Sequence, residues 1–353
     1  MRVLVVGDGH SELHEKAVLS ALVELKHEAQ EFSWHHYYIS NNRIKRLFKK
    51  IQNKFIIGPM LKKINKDLLK VVNNFNPDLM FFYRGTHILP STLVEIKKLS
   101  PKIILVGYNN DDPFAAGHPS SLWRHFLKGV PLYDLILGYR HHNLKDFTQI
   151  GAKRVGLMRS WYFPSRNHPV KLSNDDEKRY GCDVVFIGHY ENDFRKQYLE
   201  EVVRSGFSLK IFGPGYEWDK ILKNSPELKS QIPVNLVWGE EYNKALCGAK
   251  VGLCFLSKLN RDTYTRRCFE IPATKTMMLS EYTDDLASLF QEGHDADFFR
   301  SKDQLIEKIR LYVENEDLRK VVAGNGNKRV KNDGHDVVSR IKDLLVTVEK
   351  IAG

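Results

Sequence analysis

The 353-residue chain has four cysteines, Cys182, Cys247, Cys254 and Cys268, and no two of them form a C-x-x-C pair. That spacing suggests neither a zinc site nor a disulfide framework. Long apolar runs are missing too, and no stretch approaches the roughly 20 residues needed to span a bilayer. The opening Met1-Arg2-Val3-Leu4-Val5-Val6-Gly7 is too short in its apolar part for a signal peptide and reads as a first strand. The cytoplasm is the expected compartment. Gly7-Asp8-Gly9 follows that strand, yet the third glycine of a G-x-G-x-x-G fingerprint is absent, which argues against a dinucleotide site there. His35-His36 and His141-His142 are adjacent pairs whose side chains diverge on a helix or a strand. Neither pair is extended by a spacing that would complete a metal site, so no bound metal is expected.

Acidic residues are also in short supply. Lys and Arg number 54 against 43 Asp and Glu, a formal charge of +11. Much of the excess lies in Arg43 to Lys70, where Arg43, Lys45, Arg46, Lys49, Lys50, Lys54, Lys62, Lys63, Lys66 and Lys70 face one acid, Asp67. Ile44, Leu47, Phe48, Ile51 and Phe55 recur among them at helical spacing. One reading is a basic amphipathic helix on an anionic membrane surface, the inner face of the plasma membrane. The other is a solvated helix packed on its own domain with lysines outward. A nucleic-acid partner is not expected, because no RNP, zinc-finger or helix-turn-helix pattern accompanies the charge.

What is present is alternation. Strands are predicted at Arg2–Val6, Asp78–Tyr83, Lys102–Gly107, Asp134–Leu137 and Arg154–Leu157, with helices near Glu12–Lys26, Ser91–Leu99 and Asn143–Ile150. A break rich in proline and polar residues follows. The pattern restarts with strands Asp183–Gly188, Ser208–Phe212, Val234–Val237, Lys250–Phe255 and Thr276–Leu279. Helices are expected near Phe194–Arg204 and Glu241–Cys247. The tail is predicted helical over Lys302–Glu314, Glu316–Ala323 and Asp336–Ile351, the last with an apolar stripe from Val337 to Ile351. Alternation of this kind implies α/β domains with mostly parallel sheets. The expected divisions are a first domain at 1–164 with a basic insertion at 43–70, a linker at 165–180, a second domain at 181–335 and a terminal helix at 336–353.

Several constellations sit where strands end, the edge at which open α/β sheets bind ligands. Gly188-His189-Tyr190-Glu191-Asn192-Asp193-Phe194-Arg195 could present backbone N–H groups and an arginine to phosphate, or be an ordinary turn. Gly213-Pro214-Gly215-Tyr216 closes the next strand. In Asn109-Asn110-Asp111-Asp112-Pro113, Asp112 could serve as a general base or hold an Asx turn. His10, in the first loop, competes as the base, with Asp8 and Asp111 next. Arg267-Cys268-Phe269-Glu270-Ile271-Pro272-Ala273 puts a guanidinium and a carboxylate three residues apart on one face of a helical turn, suited to an anion beside a hydroxyl.

That last string resembles the donor-binding signature of GT-B glycosyltransferases, particularly the CgeB/YkvP-like branch with its R-x-F-E-x-x-A pattern. The resemblance implies a GT-B fold: two Rossmann-like domains with a cleft between them, the second binding a nucleotide sugar and the first an acceptor. It places Glu270 on the ribose and Arg267 near the diphosphate, with Gly188, His189, Arg195 and Gly213 around them. Asp262, with seven residues between it and Glu270, resembles the acidic pair of retaining enzymes. The glycine-rich run expected between them is replaced by Thr263-Tyr264-Thr265-Arg266, so Arg266 or Arg267 would supply charge instead. The implied activity is metal-independent transfer from an NDP-sugar to a cell-envelope glycan or lipid-linked acceptor, with no cofactor. A GT-B binding protein without turnover and an NDP-sugar epimerase are the alternatives.

Overall fold

A computed structural model describes all 353 residues. The chain divides into two compact units, one of Met1–Arg159 with Val337–Gly353 and one of Ser160–Asp336.

The first unit is built on a six-stranded parallel sheet: β1 (Arg2–Gly7), β2 (Glu28–Ser33), β3 (Leu79–Tyr83), β4 (Ile104–Asn109), β5 (Leu135–Gly138) and β6 (Val155–Leu157), in the order β2-β1-β3-β4-β5-β6. Every residue of β3, β4 and β5 is buried, as expected where helices cover both faces of a parallel sheet. Strand β2 is a polar edge strand, Glu-Ala-Gln-Glu-Phe-Ser, and its composition concealed it from periodicity arguments. The basic stretch is two helices rather than one. Arg43–Phe55 ends at a left-handed Ile56, and Gly58-Pro59 starts the second, Pro59–Phe75. The second helix buries Leu61, Ile64, Leu68 and Val72 in the core. The terminal helix Val337–Ala352 packs on the helix Glu15–Glu24 and so belongs to the first unit.

The second unit carries a five-stranded parallel sheet: β7 (Cys182–Ile187), β8 (Leu209–Phe212), β9 (Ala249–Cys254), β10 (Met277–Glu281) and β11 (Asp297–Phe299), ordered β11-β10-β9-β7-β8. The order reverses between β7 and β9, the switch point beyond whose carboxyl ends such sheets bind ligands. Its core joins Val184, Phe186, Val251, Leu253 and Leu279 to Trp218, Leu222 and Leu305.

Three expectations need correction. Val234–Val237 forms no strand, because Val234 donates its N–H to Asp219 and the Asn235 carbonyl accepts from Gly213 instead of a ladder partner. Residues 165–180 are packed on the second unit rather than free. His168 and Asn243 exchange two hydrogen bonds, and Asn174–Tyr180 is a helix with a Ser173/Asp176 capping box. The helix from Glu316 continues to Asn332 through Gly324 and Gly326. A Cβ at Gly326 would lie 2.3 Å from the Asp295 carbonyl oxygen, so glycine there permits close packing rather than ending the helix.

Candidate functional site

At the carboxyl end of β7, Gly188 is held from three sides. Its N–H donates to the Phe212 carbonyl, and its own carbonyl accepts from the Trp218 indole at 2.9 Å. A Cβ on Gly213 would sit 2.2 Å from that carbonyl oxygen, so the loops after β7 and β8 can approach this closely only with glycine at 213. A Cβ on Gly188 would lie 3.4 Å from the guanidinium carbon of Arg267. The guanidinium therefore rests against the bare face of Gly188, across the switch point.

Arg267 opens a seven-residue helix, Arg267–Ala273, whose residues Cys268 to Ala273 are all buried. The Asn327 side-chain amide donates to the Pro272 and Ala273 carbonyls at the other end, which fixes the helix in place. One turn on from Arg267, Glu270 is buried and accepts a 2.6 Å hydrogen bond from the Tyr242 hydroxyl at Oε2. Burial, reinforced by the Glu270 charge, pushes the Tyr242 phenol well above its ordinary range, so it stays a donor. Arg267 is different. Its Nε is buried without a hydrogen-bond partner. Burial opposes its charge, but its surroundings, with Cys254, Tyr242 and Glu270 contributing, more than offset this and raise its pKa. A buried donor left unsatisfied costs about 1–3 kcal/mol, so such a group in a native fold calls for an explanation. Beneath it, the Cys254 and Cys268 thiols touch at 3.7 Å, and burial raises the Cys254 pKa.

Arg195 takes a different role from the one expected of it. It is buried, its Nε and one terminal nitrogen clamp Asp193 at 2.8 Å, and the other donates to the His189 carbonyl. Its donors thus shape the loop after β7 instead of facing outward. His189 itself is exposed and bonds Glu217, which also accepts from the Tyr190 N–H. Lys258 pairs with Glu281 at 2.6 Å and gives its N–H to Glu191, tying the loops after β7, β9 and β10 together. Asp262 donates its N–H to the Ser257 carbonyl, and Arg266 Nε reaches Ser160 Oγ at 3.3 Å. Tyr242, Trp218, Lys258 and Glu281 were not legible as site residues, since each acts on a partner about 23–30 positions away. Asp193 was legible, two residues before the arginine it caps.

In the first unit, the corresponding edge holds the loop after β1. Asp8 accepts the His10 N–H at 2.7 Å, and the exposed His10 ring lies 5.1 Å from His35. Beneath them is a residue that sequence reasoning missed. Glu15 is buried, accepts the Asp8 N–H at 2.9 Å through Oε1 and leaves Oε2 without a partner. Burial and the nearby Asp8 raise its pKa to about 7. Arg84, after β3, pairs with Asp111 at 2.7 Å. Asp112 is fully buried. Its Oδ1 accepts from the Phe114 N–H and the Asn143 amide, and His142 lies 3.3 Å from Oδ2. It is the Asx turn of the two readings, because its oxygens are bound into the loop and not presented to a substrate hydroxyl.

No three His, Cys, Asp or Glu residues converge as a metal-ion group. The one D-x-D of the chain, Asp295-Ala296-Asp297, is bound up in the second unit, with Asp297 held by Tyr312 and Lys308.

Residues 195–346 match the model of a family described as glycosyl transferase-like. HepE from Anabaena, solved with UDP and glucose, aligns with 99% of this chain and 100% of its own, at a TM-score of 0.68 and 11% identity. Sucrose-phosphate synthase from Thermosynechococcus elongatus aligns over 99% of both chains, at a TM-score of 0.69 and 9% identity. The chain has the GT-B fold. A glycosyltransferase from Rickettsia africae is similar to the same degree, with a TM-score of 0.68, 12% identity, and 99% and 98% of the two chains covered. No curated protein matches the chain in sequence. The matched family segment contains Arg195, Tyr242, Asp262, Arg266, Arg267 and Glu270, and begins after Gly188 and His189.

Proposed function

We propose that this GT-B protein transfers a sugar from a nucleoside-diphosphate sugar to a cell-envelope glycan or lipid-linked acceptor, as the CgeB/YkvP-like resemblance of its Arg267–Ala273 segment suggests. The observation that carries this is the half-buried Arg267 guanidinium, whose buried Nε has no partner, lying against Gly188 beside the Tyr242–Glu270 pair. An anion placed there satisfies the orphaned donor, and a ribose hydroxyl donates to the Glu270 carboxylate one helical turn away. Tyr242 holds that carboxylate in place before ligand arrives. UDP is the first nucleotide to test, since HepE was solved with it.

Cleavage of the sugar–phosphate bond leaves negative charge on the diphosphate. Arg267, with Arg266 beside it, is positioned to stabilise that charge as it develops, in a site whose dipoles need no reorganisation. The diphosphate is met by these arginines rather than by a metal ion. Arg195 acts indirectly, by fixing the backbone of the loop from Gly188 to Asp193. Tyr216, exposed next to Gly215, offers a face for the base. In the first unit His10 is the group we assign as general base, its backbone N–H held by Asp8 and its ring exposed where Asp112 is not. The protein works in the cytoplasm, where its four free cysteines stay reduced.

The test is calorimetric titration with UDP, GDP and CDP, followed by incubation with the matching NDP-sugars and chromatography of the products. Slow release of free sugar and nucleotide supports a transferase. Interconversion of NDP-sugars overturns it in favour of an epimerase, and binding without turnover in favour of an inactive glycan-binding protein.

A further inference from the structure

The helix Arg43–Phe55 is mounted inside out. Its apolar residues fall on one stripe, and all are in solvent: Ile44 is 81% exposed, Leu47 62%, Phe48 63%, Ile51 46% and Phe55 46%. What it turns toward the protein is polar. Gln52 is its one buried residue and accepts the Met60 N–H through Oε1, while Asn53 bonds the buried His87 ring at 2.9 Å. Arg124 donates to the carbonyls of Phe55 and Ile56, and His125 lies 3.0 Å from the Ile56 carbonyl oxygen. Asn42 caps the start by accepting the Lys45 N–H, and the Lys49 ammonium holds the Ile39 carbonyl. The outward pose is thus fastened at both ends and in the middle. A soluble helix ordinarily buries its apolar stripe, as the neighbouring Pro59–Phe75 does.

The flanks say what covers the stripe. Arg43, Lys45, Arg46, Lys49, Lys50 and Lys54 lie on this helix, which carries no acidic residue. Six cations around an apolar ridge repel a second copy of the same ridge, so self-pairing is disfavoured. Nucleic acid satisfies the cations and leaves the apolar residues wet. An anionic bilayer surface satisfies both, taking the side chains into the acyl boundary and the cations at headgroup level.

We propose that Arg43–Phe55 is an interfacial anchor that seats the first unit on an anionic membrane through Ile44, Leu47, Phe48, Ile51 and Phe55. The anchor stands independently of the transfer reaction. It would hold the protein at the surface where a lipid-linked acceptor resides, without a spanning helix, and none of the helices is long and apolar enough to span.

Full-length protein is mixed with vesicles of phosphatidylcholine alone or with 30% phosphatidylglycerol (about a third), and binding is read by sedimentation. A Phe48→Trp variant reports insertion by a blue shift of its emission. The expected result is binding to anionic vesicles at least about tenfold tighter than to neutral ones, with the blue shift. Lys45→Gln/Lys50→Gln/Lys54→Gln should weaken the anionic binding by roughly a hundredfold. Leu47→Gln/Phe48→Gln/Ile51→Gln should remove the binding that survives at 0.5 M salt, where screening leaves about 4 Å of reach. Circular dichroism and thermal melting check that each variant is folded. Absence of binding to either vesicle overturns the proposal, and so does anionic binding without a blue shift, which is mere surface charge. A dimer in light scattering that the Leu47/Phe48/Ile51 variant dissolves overturns it in favour of a second copy.

Discussion

The Tyr242 hydroxyl and the Glu270 carboxylate meet at 2.6 Å although 28 positions separate them in the chain. The pair joins the helix Gly239–Cys247 to the helix Arg267–Ala273, so the carboxylate is set in one rotamer beside Arg267. In the proposed donor site this carboxylate and the Arg267 Nε without a partner take different roles, so their substitution would separate binding from catalysis.

Replacing Glu270 by Ala should weaken nucleotide binding by roughly 1.5–3 kcal/mol, the range for hydrogen bonds to charged groups. Tyr242→Phe removes the restraint while leaving the carboxylate, so its loss should be smaller, about 0.5–1.5 kcal/mol. Calorimetry with UDP measures both. Unchanged affinity in the Glu270 variant would place the ribose elsewhere.

For Arg267→Ala the expected outcome is a fall in kcat exceeding the loss of affinity for the free nucleoside, because in the proposed reaction its charge would meet the departing diphosphate. Arg195→Ala, by contrast, should lower thermal stability, since Asp193 and the His189 carbonyl lose their partners. Melting temperatures and steady-state rates on the two variants distinguish a ligand contact from a loop clamp.

Asp112→Asn and His10→Ala should diverge in the same way. Asparagine at 112 disturbs a buried carboxylate with several partners and should cost about 1–3 kcal/mol of stability. Alanine at 10 should leave stability alone and reduce transfer by about a hundredfold or more with donor binding intact. Full activity of the His10 variant would require another base.

Glu15 gives a pH dependence with a definite sign. Its pKa rises from 4.5 in the unfolded chain to about 7 in the fold, so the native state holds the extra proton between those values. Its contribution to stability is therefore complete below about pH 4.5 and is lost as pH rises through about 7, amounting to on the order of 3 kcal/mol. Glu15→Gln should erase that slope and be the more stable protein at pH 8. Parallel melts of wild type and variant from pH 5 to 8 measure it, and identical slopes would mean the carboxyl titrates normally.

At Gly213 even the smallest side chain should be costly. A Cβ there would meet the Gly188 carbonyl oxygen at 2.2 Å, a backbone atom that cannot swing aside. Gly213→Ala should displace the loop after β7 and lower both stability, by about 1–3 kcal/mol, and nucleotide affinity. A normal melting temperature and normal UDP binding would show that the two loops are not so tightly apposed.

The sequence by itself determined a strand whose residues are apolar throughout, such as Leu79–Tyr83, because burial on both faces is written into each position. It also determined that Arg267 and Glu270 share a helical face, which follows from a period of 3.6 residues. The polar edge strand Glu28–Ser33 was not legible, since its stability comes from pairing with Arg2–Gly7 rather than from its own side chains. Nor was the continuation of the helix Glu316–Asn332 through Gly326, which depends on how near the Asp295 carbonyl stands. Local spacing showed that Ile44, Leu47, Phe48, Ile51 and Phe55 form a stripe, but not which way the stripe faces. Tertiary structure alone decided that Arg195 is spent on Asp193 while the Arg267 Nε is left without a partner, that Asp112 is buried, and that Glu15 lies beneath Asp8. The physical reason is common to all four. A side chain's charge and hydrogen-bonding capacity belong to its residue type, whereas its partners and its desolvation are set by segments distant in sequence that packing brings against it.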